Sequence, residues 1–238
     1  MKGLLDFVIA AHGGLEQWNQ FEKMKIHMKV GGVLWDLKGQ DGVISDTYFE
    51  TNLRKQEGRY LDFVKEGQDA VFTPNHVSIV KNKEVLEEIH SPRASFKDHK
   101  FETHWSKLQL VYFGGYAMTN YLTSPFVLTR PGFKTEELKP WHEAGETWRR
   151  LHVTFPDNYA YHSKEQVFYF DQNGFIKRFD YQLEISADTP AAHYVFDYKE
   201  VQGIMVPYRR EVYARDENNN YVKEPLVVKV EMDHVEFK

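Results

Sequence analysis

Residues 175–185 read FIKRFDYQLEI and alternate between two kinds of side chain. One set of alternate positions carries Phe175, Lys177, Phe179, Tyr181 and Leu183, and the other carries Arg178, Asp180, Gln182 and Glu184. Because successive side chains of a strand point to opposite faces of a sheet, this period of two predicts a strand with one apolar and one polar face. The polar set also offers several groups that could bind or react.

The same pattern continues through the C-terminal part of the chain. Strands are predicted at 147–155, 166–170, 175–185, 192–200, 204–215 and 226–237. The sequence DQNG at 171–174 is a strong turn signal between two of them. In the last strand the apolar positions change from even to odd numbers, which predicts a β-bulge near Asp233 and His234. The pattern predicts a mainly β fold with an antiparallel sheet.

The N-terminal half combines helices with shorter strands. A first helix is predicted at 4–11, a turn or short helix at 15–18, and strands at 23–30, 43–53, 59–64, 68–72, 76–81 and 83–89. Residues 91–100 are polar and predict a loop, whereas apolar spacing of three and four residues predicts an inserted helix at about 104–122. Gly114 and Gly115 predict a kink in it or close packing on another backbone. Residues 1–238 are predicted to form a single domain.

Composition narrows the functional classes. The chain has 238 residues, 42% of them hydrophobic and 15% aromatic, a formal net charge of −5 and no cysteine. The negative charge argues against nucleic acid and anionic membrane surfaces as general partners. Absence of cysteine excludes disulfides and thiolate chemistry. The first residues suit an amphipathic helix better than a signal peptide, and no stretch is long enough to span a membrane, so a soluble, cytoplasmic protein is expected.

Sequence motifs for cofactors and metals are not found. The chain has no glycine-rich nucleotide loop, no nucleophile elbow and no closely spaced histidine motif, although it has 11 histidines. We therefore predict no cofactor and no metal site. Oligomeric state cannot be inferred from the sequence.

Polar residues on neighbouring predicted strands suggest one candidate site, here called the polar band. Its members are Arg150, His152, Arg178, Asp180, His193 and Arg210. If the band lines a cavity, His193 and Asp180 could transfer protons while Arg178 holds an anion, and Arg150, His152 and Arg210 could bind ligand. An ordinary solvated sheet face with cross-strand ion pairs explains the same residues, and His193 could instead be a buried, hydrogen-bonded histidine.

Aromatic residues supply the remaining ligand-binding candidates. Trp105, Tyr112, Tyr116 and Tyr121 lie in or beside the predicted helix, and Trp148 and Tyr181 lie in the predicted sheet. Such side chains could line an apolar pocket and orient a ligand through their polar atoms. Aromatic residues at helical spacing are more commonly core residues.

The layout resembles the superfamily of bacterial lipoprotein carriers. Three features carry the resemblance: AHGG at 11–14 followed by Trp18, the hairpin FYFDQNG at 168–174, and the helical insertion. The segments RFDY, AHY and PYRR at 178–181, 192–194 and 207–210 also look like uncharacterised bacterial proteins. The resemblance implies an unclosed β-barrel wrapped around the inserted helix, with a hydrophobic concave side.

Three functional hypotheses follow. The first is a binding protein that holds a hydrophobic or lipid-like small molecule in the concave side of the half-barrel. The second is a cofactor-free isomerase, cyclase or hydrolase that uses His193, Asp180 and Arg178 in the same cavity. The third is a protein-interaction module that uses an exposed sheet edge.

Overall fold

The computed structural model describes residues 3–238, which form one large sheet with a few helices. The helices are α1 (Leu4–Ala11), α2 (Gly14–Trp18), α3 (Leu34–Leu37) and α4 (Lys107–Thr123). The strands are β1 (Lys23–Gly31), β2 (Asp46–Asn52), β3 (Gly58–Leu61), β4 (Gln68–Thr73), β5 (His76–Lys81), β6 (Glu84–His90), β7 (Lys134–Glu143), β8 (Glu146–Thr154), β9 (Glu165–Phe170), β10 (Ile176–Leu183), β11 (Thr189–Val201), β12 (Ile204–Arg215), β13 (Tyr221–Val222) and β14 (Val228–Phe237). Three short 3-10 turns lie at Pro92–Phe96, Phe126–Thr129 and Glu184–Ser186.

Most neighbouring strands in the sheet are also neighbours in sequence. The strand order is β6-β5-β4-β3-β2-β1-β14-β12-β11-β10-β9-β8-β7, and β13 pairs with β12 outside this path. The C-terminal strand β14 lies between β1 and β12, so it joins the two halves of the sheet. Within residues 3–238 the terminal strands β6 and β7 do not pair with each other. The mainly β, antiparallel and unclosed architecture is confirmed.

The two faces of the sheet have different surroundings. We call the face toward α4 the inner face, and it carries most of the hydrophobic core, including Ile26, Phe49 and Phe179. The opposite face, here the outer face, carries a smaller cluster of Trp148, Tyr169, Ala192 and Tyr194. Alternation in β1 illustrates the pattern, since Met24, Ile26, Met28 and Val30 are all buried. The apolar positions read from the sequence therefore face the core.

Helix α4 is buried on every side. It begins with a capping box, in which the Ser106 hydroxyl accepts from the Gln109 backbone and the Gln109 side chain accepts from the Ser106 backbone. All residues from Leu108 to Thr123 are buried. The helix predicted at 104–122 is thus confirmed, with its start moved to the first residue after the cap.

The glycine pair in α4 serves close packing. A Cβ atom built on Gly115 would lie 2.4 Å from Cγ and 2.5 Å from Cβ of Phe72, and one on Gly114 would lie 2.2 Å from Oη of Tyr60. Cβ of Phe72 is bonded to the backbone of strand β4 and cannot move away without it. Glycine therefore lets α4 approach the sheet, which is one of the two predicted roles.

The predicted bulge lies in β14. His27 of β1 pairs with His234, whereas the next residue, Met28, pairs with Met232, so Asp233 is the extra residue. The bulge directs the Asp233 carboxylate to His27, whose Nδ1 lies 2.6 Å from Oδ1 of Asp233. The other ring nitrogen, Nε2, lies 2.7 Å from Oδ1 of Asp46. These contacts, led by the hydrogen bond to Asp233, raise the pKa of His27 above its ordinary value of 6.5.

Some elements were not predicted. Strand β7 is an edge strand with mostly exposed residues, so it lacks the apolar alternation that marks a half-buried strand. The short helix α3 was also missed, and the predicted 91–100 loop contains the 3-10 turn Pro92–Phe96. Strands predicted at 43–53 and 226–237 begin later, at Asp46 and Val228. Among the helices of residues 3–238, none has the length and apolar character needed to cross a membrane.

Replacing Gly115 by alanine tests the close approach of α4. We expect Gly115→Ala to lower the free energy of unfolding by about 1–3 kcal/mol, because overpacking against Phe72 outweighs the better helix propensity of alanine. Urea unfolding measures the change. Gly31→Ala is the matched control, since a Cβ atom there meets nothing within 4 Å. Equal effects of the two substitutions would contradict the packing role.

A histidine titration tests the bulge contact. We expect NMR to give His27 a pKa above 6.5, and Asp233→Asn to lower it, because the carboxylate stabilises the imidazolium. With the folded pKa raised, this contribution to stability is complete below the unfolded pKa and is lost as the pH rises through the folded pKa. Asp41→Asn is the control, because Asp41 is exposed and is not among the carboxylates that raise the pKa of His27. A His27 pKa of 6.5 or below in the unmodified protein contradicts the geometry.

Candidate functional site

An apolar cavity of about 80 Å³ lies between α4 and the inner face of the sheet. Residues of β1, α3, β3, α4, β10, β11, β12 and β14 form its walls, together with residues of connecting segments. Its apolar lining includes Met28, Val30, Leu34, Trp35, Ile44, Phe101, Phe113, Ala117, Met118, Leu183, Ala191, Val212, Val227 and Val230. Tyr60, Tyr121, His162 and Tyr181 also contribute to the lining. The cavity lining is thus mostly apolar, and Tyr121, His162 and Tyr181, which contact one another, form a wall that carries polar groups.

His162 is the centre of a buried hydrogen-bond network at this wall. Its Nδ1 lies 3.1 Å from Oη of Tyr116 and its Nε2 lies 2.6 Å from Oη of Tyr121. The Tyr121 hydroxyl also lies 3.3 Å from that of Tyr181, whose ring stacks on His162 at 4.0 Å. Burial, with a smaller effect of Arg93, lowers the pKa of His162 to about 3. The imidazole is therefore neutral, and the network orients hydroxyl groups beside the apolar cavity.

The four aromatic candidates of the helical segment have different environments. Tyr121 lines the cavity, and Tyr116 lies behind it through His162. Tyr112 packs on Phe72 and Phe96, away from the cavity lining. Trp105, just before α4, packs on Phe96 and Phe113, and its Nε1 has no hydrogen-bond partner among the described residues. Only part of this predicted aromatic set therefore reaches the cavity.

His193 and Arg210 lie on the inner face of neighbouring strands. His193 pairs with Phe179 across β10 and β11, and Arg210 pairs with Val195 across β11 and β12. Both His193 ring nitrogens lack a partner among the described residues, and its ring stacks on Phe179 at 4.0 Å. Arg210 donates from Nη2 to the Tyr121 carbonyl at 2.9 Å. Burial lowers the pKa of His193 well below 6.5 and that of Arg210 to about 10.

Arg178 and Asp180 lie on the outer face, opposite His193. Arg178 donates from Nε to Oδ1 of Asp180 at 2.6 Å and from Nη2 to Oδ2 at 2.9 Å. Its Nη1 donates to Glu143 at 2.8 Å and to the Tyr194 hydroxyl at 3.0 Å. Arg178 is fully buried, yet every part of its guanidinium group is paired. This is a buried ion pair inside the outer cluster.

The single polar band predicted from the sequence is therefore wrong. Because paired residues of adjacent strands share a face, the Phe179–His193 pair places His193 with the apolar set of β10. Asp180 and Arg178 then point to the opposite side. The predicted group of His193, Asp180 and Arg178 is not brought together. The prediction placed His193 on the same face of the sheet as Arg178 and Asp180, whereas the residue that shares their face on β11 is Tyr194.

The other sheet candidates are also divided between the faces. Trp148, Arg150 and His152 alternate with buried Leu151 and Val153, so they lie on the outer face. Arg150 donates to the Lys139 carbonyl at 2.7 Å, and Nε2 of His152 lies 2.9 Å from a Glu165 carboxylate oxygen. Trp148 packs in the outer cluster. These three predicted ligand-binding residues do not face the cavity, whereas Tyr181 lines it.

Sequence reasoning missed His162, which lies in the segment between β8 and β9. It lies outside any strand alternation, and no motif surrounds it, so only the fold brings it to α4.

A surface cluster of His76, Glu88 and His90 was also missed, because only the pairing of β5 with β6 brings these residues together. His76 and His90 pair across the two strands, with their rings stacked at 4.7 Å. Glu88 lies between them, 2.8 Å from Nε2 of His76. Hydrogen bonding to the exposed carboxylate accounts for this arrangement.

The fold is similar to those of several solved structures. A LolA superfamily protein from Nitrosomonas europaea superposes with a TM-score of 0.54 at 9% identity, over 94% of this chain and 91% of that one. The chain has a LolA-like fold. This confirms the resemblance inferred from the sequence. At this identity the likeness concerns the fold alone.

Two further structures superpose on this chain to the same extent. A putative outer membrane lipoprotein-sorting protein domain from Vibrio parahaemolyticus has a TM-score of 0.54 at 10% identity, over 99% of this chain and 91% of that one. A DUF1329 family protein from Desulfovibrio piger has a TM-score of 0.54 at 10% identity, over 99% and 92%. No protein-family model matches the chain, and no curated protein matches it significantly.

Removal of the buried guanidinium tests the structural role of the outer cluster. We expect Arg178→Met to lower the free energy of unfolding by about 3–5 kcal/mol, because the buried Asp180 loses its two-point partner and keeps only the Tyr169 hydroxyl at 2.7 Å and Arg215 at 3.6 Å among the described residues. Arg149→Met is the control: Arg149 also makes a two-point contact with a carboxylate, that of Glu137, but at the surface. Its expected effect is about 0–1 kcal/mol in the same urea experiment. Similar losses for both variants contradict a buried structural pair.

Proposed function

We propose that the protein binds a hydrophobic or amphipathic small molecule between α4 and the inner face. The observation that carries this proposal is the apolar cavity with its polar wall at Tyr121, His162 and Tyr181. Ligand sites commonly combine a predominantly apolar lining with a few polar groups that orient the ligand. A lipid-like ligand also fits the description of one structural neighbour as a putative outer membrane lipoprotein-sorting domain.

The size of the cavity sets a condition on binding. At about 80 Å³ it is smaller than the roughly 300–1,000 Å³ of typical ligand sites. Met28 and Met118 are part of its wall, and unbranched methionine side chains adapt readily to a new shape. A ligand of lipid size therefore enters with repacking of the wall. The proposal is a binding site that widens on occupation.

The other two hypotheses have less support. The enzyme in its predicted form needs His193 beside Asp180, and the two lie on opposite faces. The interaction module would use β6 or β7, the unpaired edges of the sheet within residues 3–238, and stays a prediction. Cytoplasmic localisation also stays a prediction, which cell fractionation tests.

Filling the cavity tests the proposed function. Ala191 lines the cavity on β11, and we expect Ala191→Phe to weaken binding of the neutral fluorescent probe Nile red at least about tenfold, about 1.4 kcal/mol. Ala10→Phe makes the same change at an exposed position of α1 and serves as the control. Native mass spectrometry of the purified protein, followed by solvent extraction, identifies any copurifying ligand.

Two outcomes would count against the proposal. The unmodified protein could fail both to bind the probe and to carry an extractable apolar molecule. Alternatively, Ala191→Phe and Ala10→Phe could bind the probe equally well, which would place binding elsewhere. Circular dichroism establishes that both variants are folded before binding is compared.

A further inference from the structure

Arg210 is a buried cation without a carboxylate partner. Its side chain is 2% exposed, and no acidic group of residues 3–238 lies within ion-pair distance of it. One hydrogen bond, from Nη2 to the Tyr121 carbonyl, engages the guanidinium group, and Nε has no partner among the described residues. Burial of a charge without a counter-charge costs several kcal/mol. The described residues around Arg210 supply no anion that would offset this cost.

The groups around Arg210 cannot provide that anion. Tyr121 places its ring below the guanidinium, with the Arg210 Cζ atom 5.2 Å from the ring centroid. His193 lies on the next strand, two residues from Val195, the partner of Arg210, and on the same face. Both of its ring nitrogens also lack partners. A neutral imidazole offers one N–H donor, so Nε of Arg210 and the His193 ring together present N–H donors that have no acceptor among the described residues.

Tyr121 connects this polar group to the apolar cavity. The tyrosine lines the 80 Å³ cavity on one side, and on the other it lines a second void of about 10 Å³ that also contacts Arg210. The second void is about the size of one water molecule. Both spaces have Tyr121 in their lining, so this residue would have to move for the two to join. An apolar chain in the first space would then end beside the guanidinium group.

We propose that Arg210 binds the carboxylate of an amphipathic ligand whose apolar chain occupies the cavity. This inference rests on the proposed function and names its ligand class as an aliphatic carboxylic acid. The N–H groups along the Nε edge of a guanidinium group can donate to both oxygens of a carboxylate, and Nε of Arg210 is unpaired among the described residues. His193 supplies a further N–H on the same face. The burial that lowers the pKa of Arg210 to about 10 still leaves it charged at neutral pH.

Ligands of one chain length and different head groups test the assignment. Decanoic acid, decanol and decylamine are titrated against the protein at neutral pH, with displacement of Nile red as the readout. We expect decanoic acid to bind at least about tenfold more tightly than decanol, since a charged hydrogen-bonded pair contributes more than a neutral one. Decylamine should bind most weakly, because its ammonium group meets the Arg210 charge.

Three arginine variants locate the effect. Arg210→Met should bind decanoic acid and decanol equally, while Arg210→Lys keeps a reduced preference for the acid because it keeps the charge but loses the fork. Arg150→Met removes an arginine from the outer face and should behave like the unmodified protein. Thermal unfolding without ligand adds an independent readout: Arg210→Met should unfold at a higher temperature than the unmodified protein, because it removes an unpaired buried charge.

The outcomes separate this inference from the proposed function. If the unmodified protein binds decanoic acid and decanol equally, the carboxylate site is overturned while apolar binding stands. If Arg210→Met keeps the preference for the acid, Arg210 is not the receptor. If neither the acid, the alcohol nor Nile red binds, the proposed function itself fails. The acid–alcohol comparison on the unmodified protein keeps the test decisive even if a variant does not fold.

Discussion

The structure depends on a helix that fills the inside of a sheet that does not close. The strands β6 and β7 remain unpaired edges within residues 3–238, so the sheet cannot cover its own inner face as a closed barrel does. Helix α4 provides that cover, and its residues from Leu108 to Thr123 are all buried as a result. Gly115 brings its backbone against Phe72, and the capping box at Ser106 closes its first turn. The cavity is the space that remains where this helix and the sheet diverge.

Strand alternation made much of this fold predictable. Apolar residues at every second position identified most strands. The change of phase near Asp233 located the bulge, which lies between the His27–His234 and Met28–Met232 pairs. The inserted helix was recognisable because its spacing departs from the period of two. Strand β7 was missed because both of its faces are largely exposed, so no burial pattern marks it. Apolar periodicity therefore gave no signal for this edge strand, whose side chains are mostly exposed.

The candidate site was less predictable because it depends on pairing register. Alternation states that Arg178 and Asp180 share a face, but it does not state which face of the next strand joins them. The Phe179–His193 pair decides this, and a different register would have reversed the result. His162 shows a second limit, since a loop residue reaches Tyr116 and Tyr121 only through the folded path of the chain. The aromatic residues were correctly expected near the helix, yet only Tyr121 of the four lines the cavity.

The two buried arginines show how burial and pairing separate structure from binding. Arg178 is enclosed on the outer face by Asp180, Glu143 and Tyr194, so its charge is compensated by groups of the chain itself. Arg210 is equally buried on the inner face but has one backbone carbonyl as its recorded partner. A buried charge that served packing alone would be replaced by an apolar residue at little cost or with a gain in stability. Arg210 lies instead where α4 and the sheet leave space, next to the side chain that also lines the apolar cavity. Its uncompensated charge is therefore best explained by an anionic ligand that supplies the missing partner when it binds.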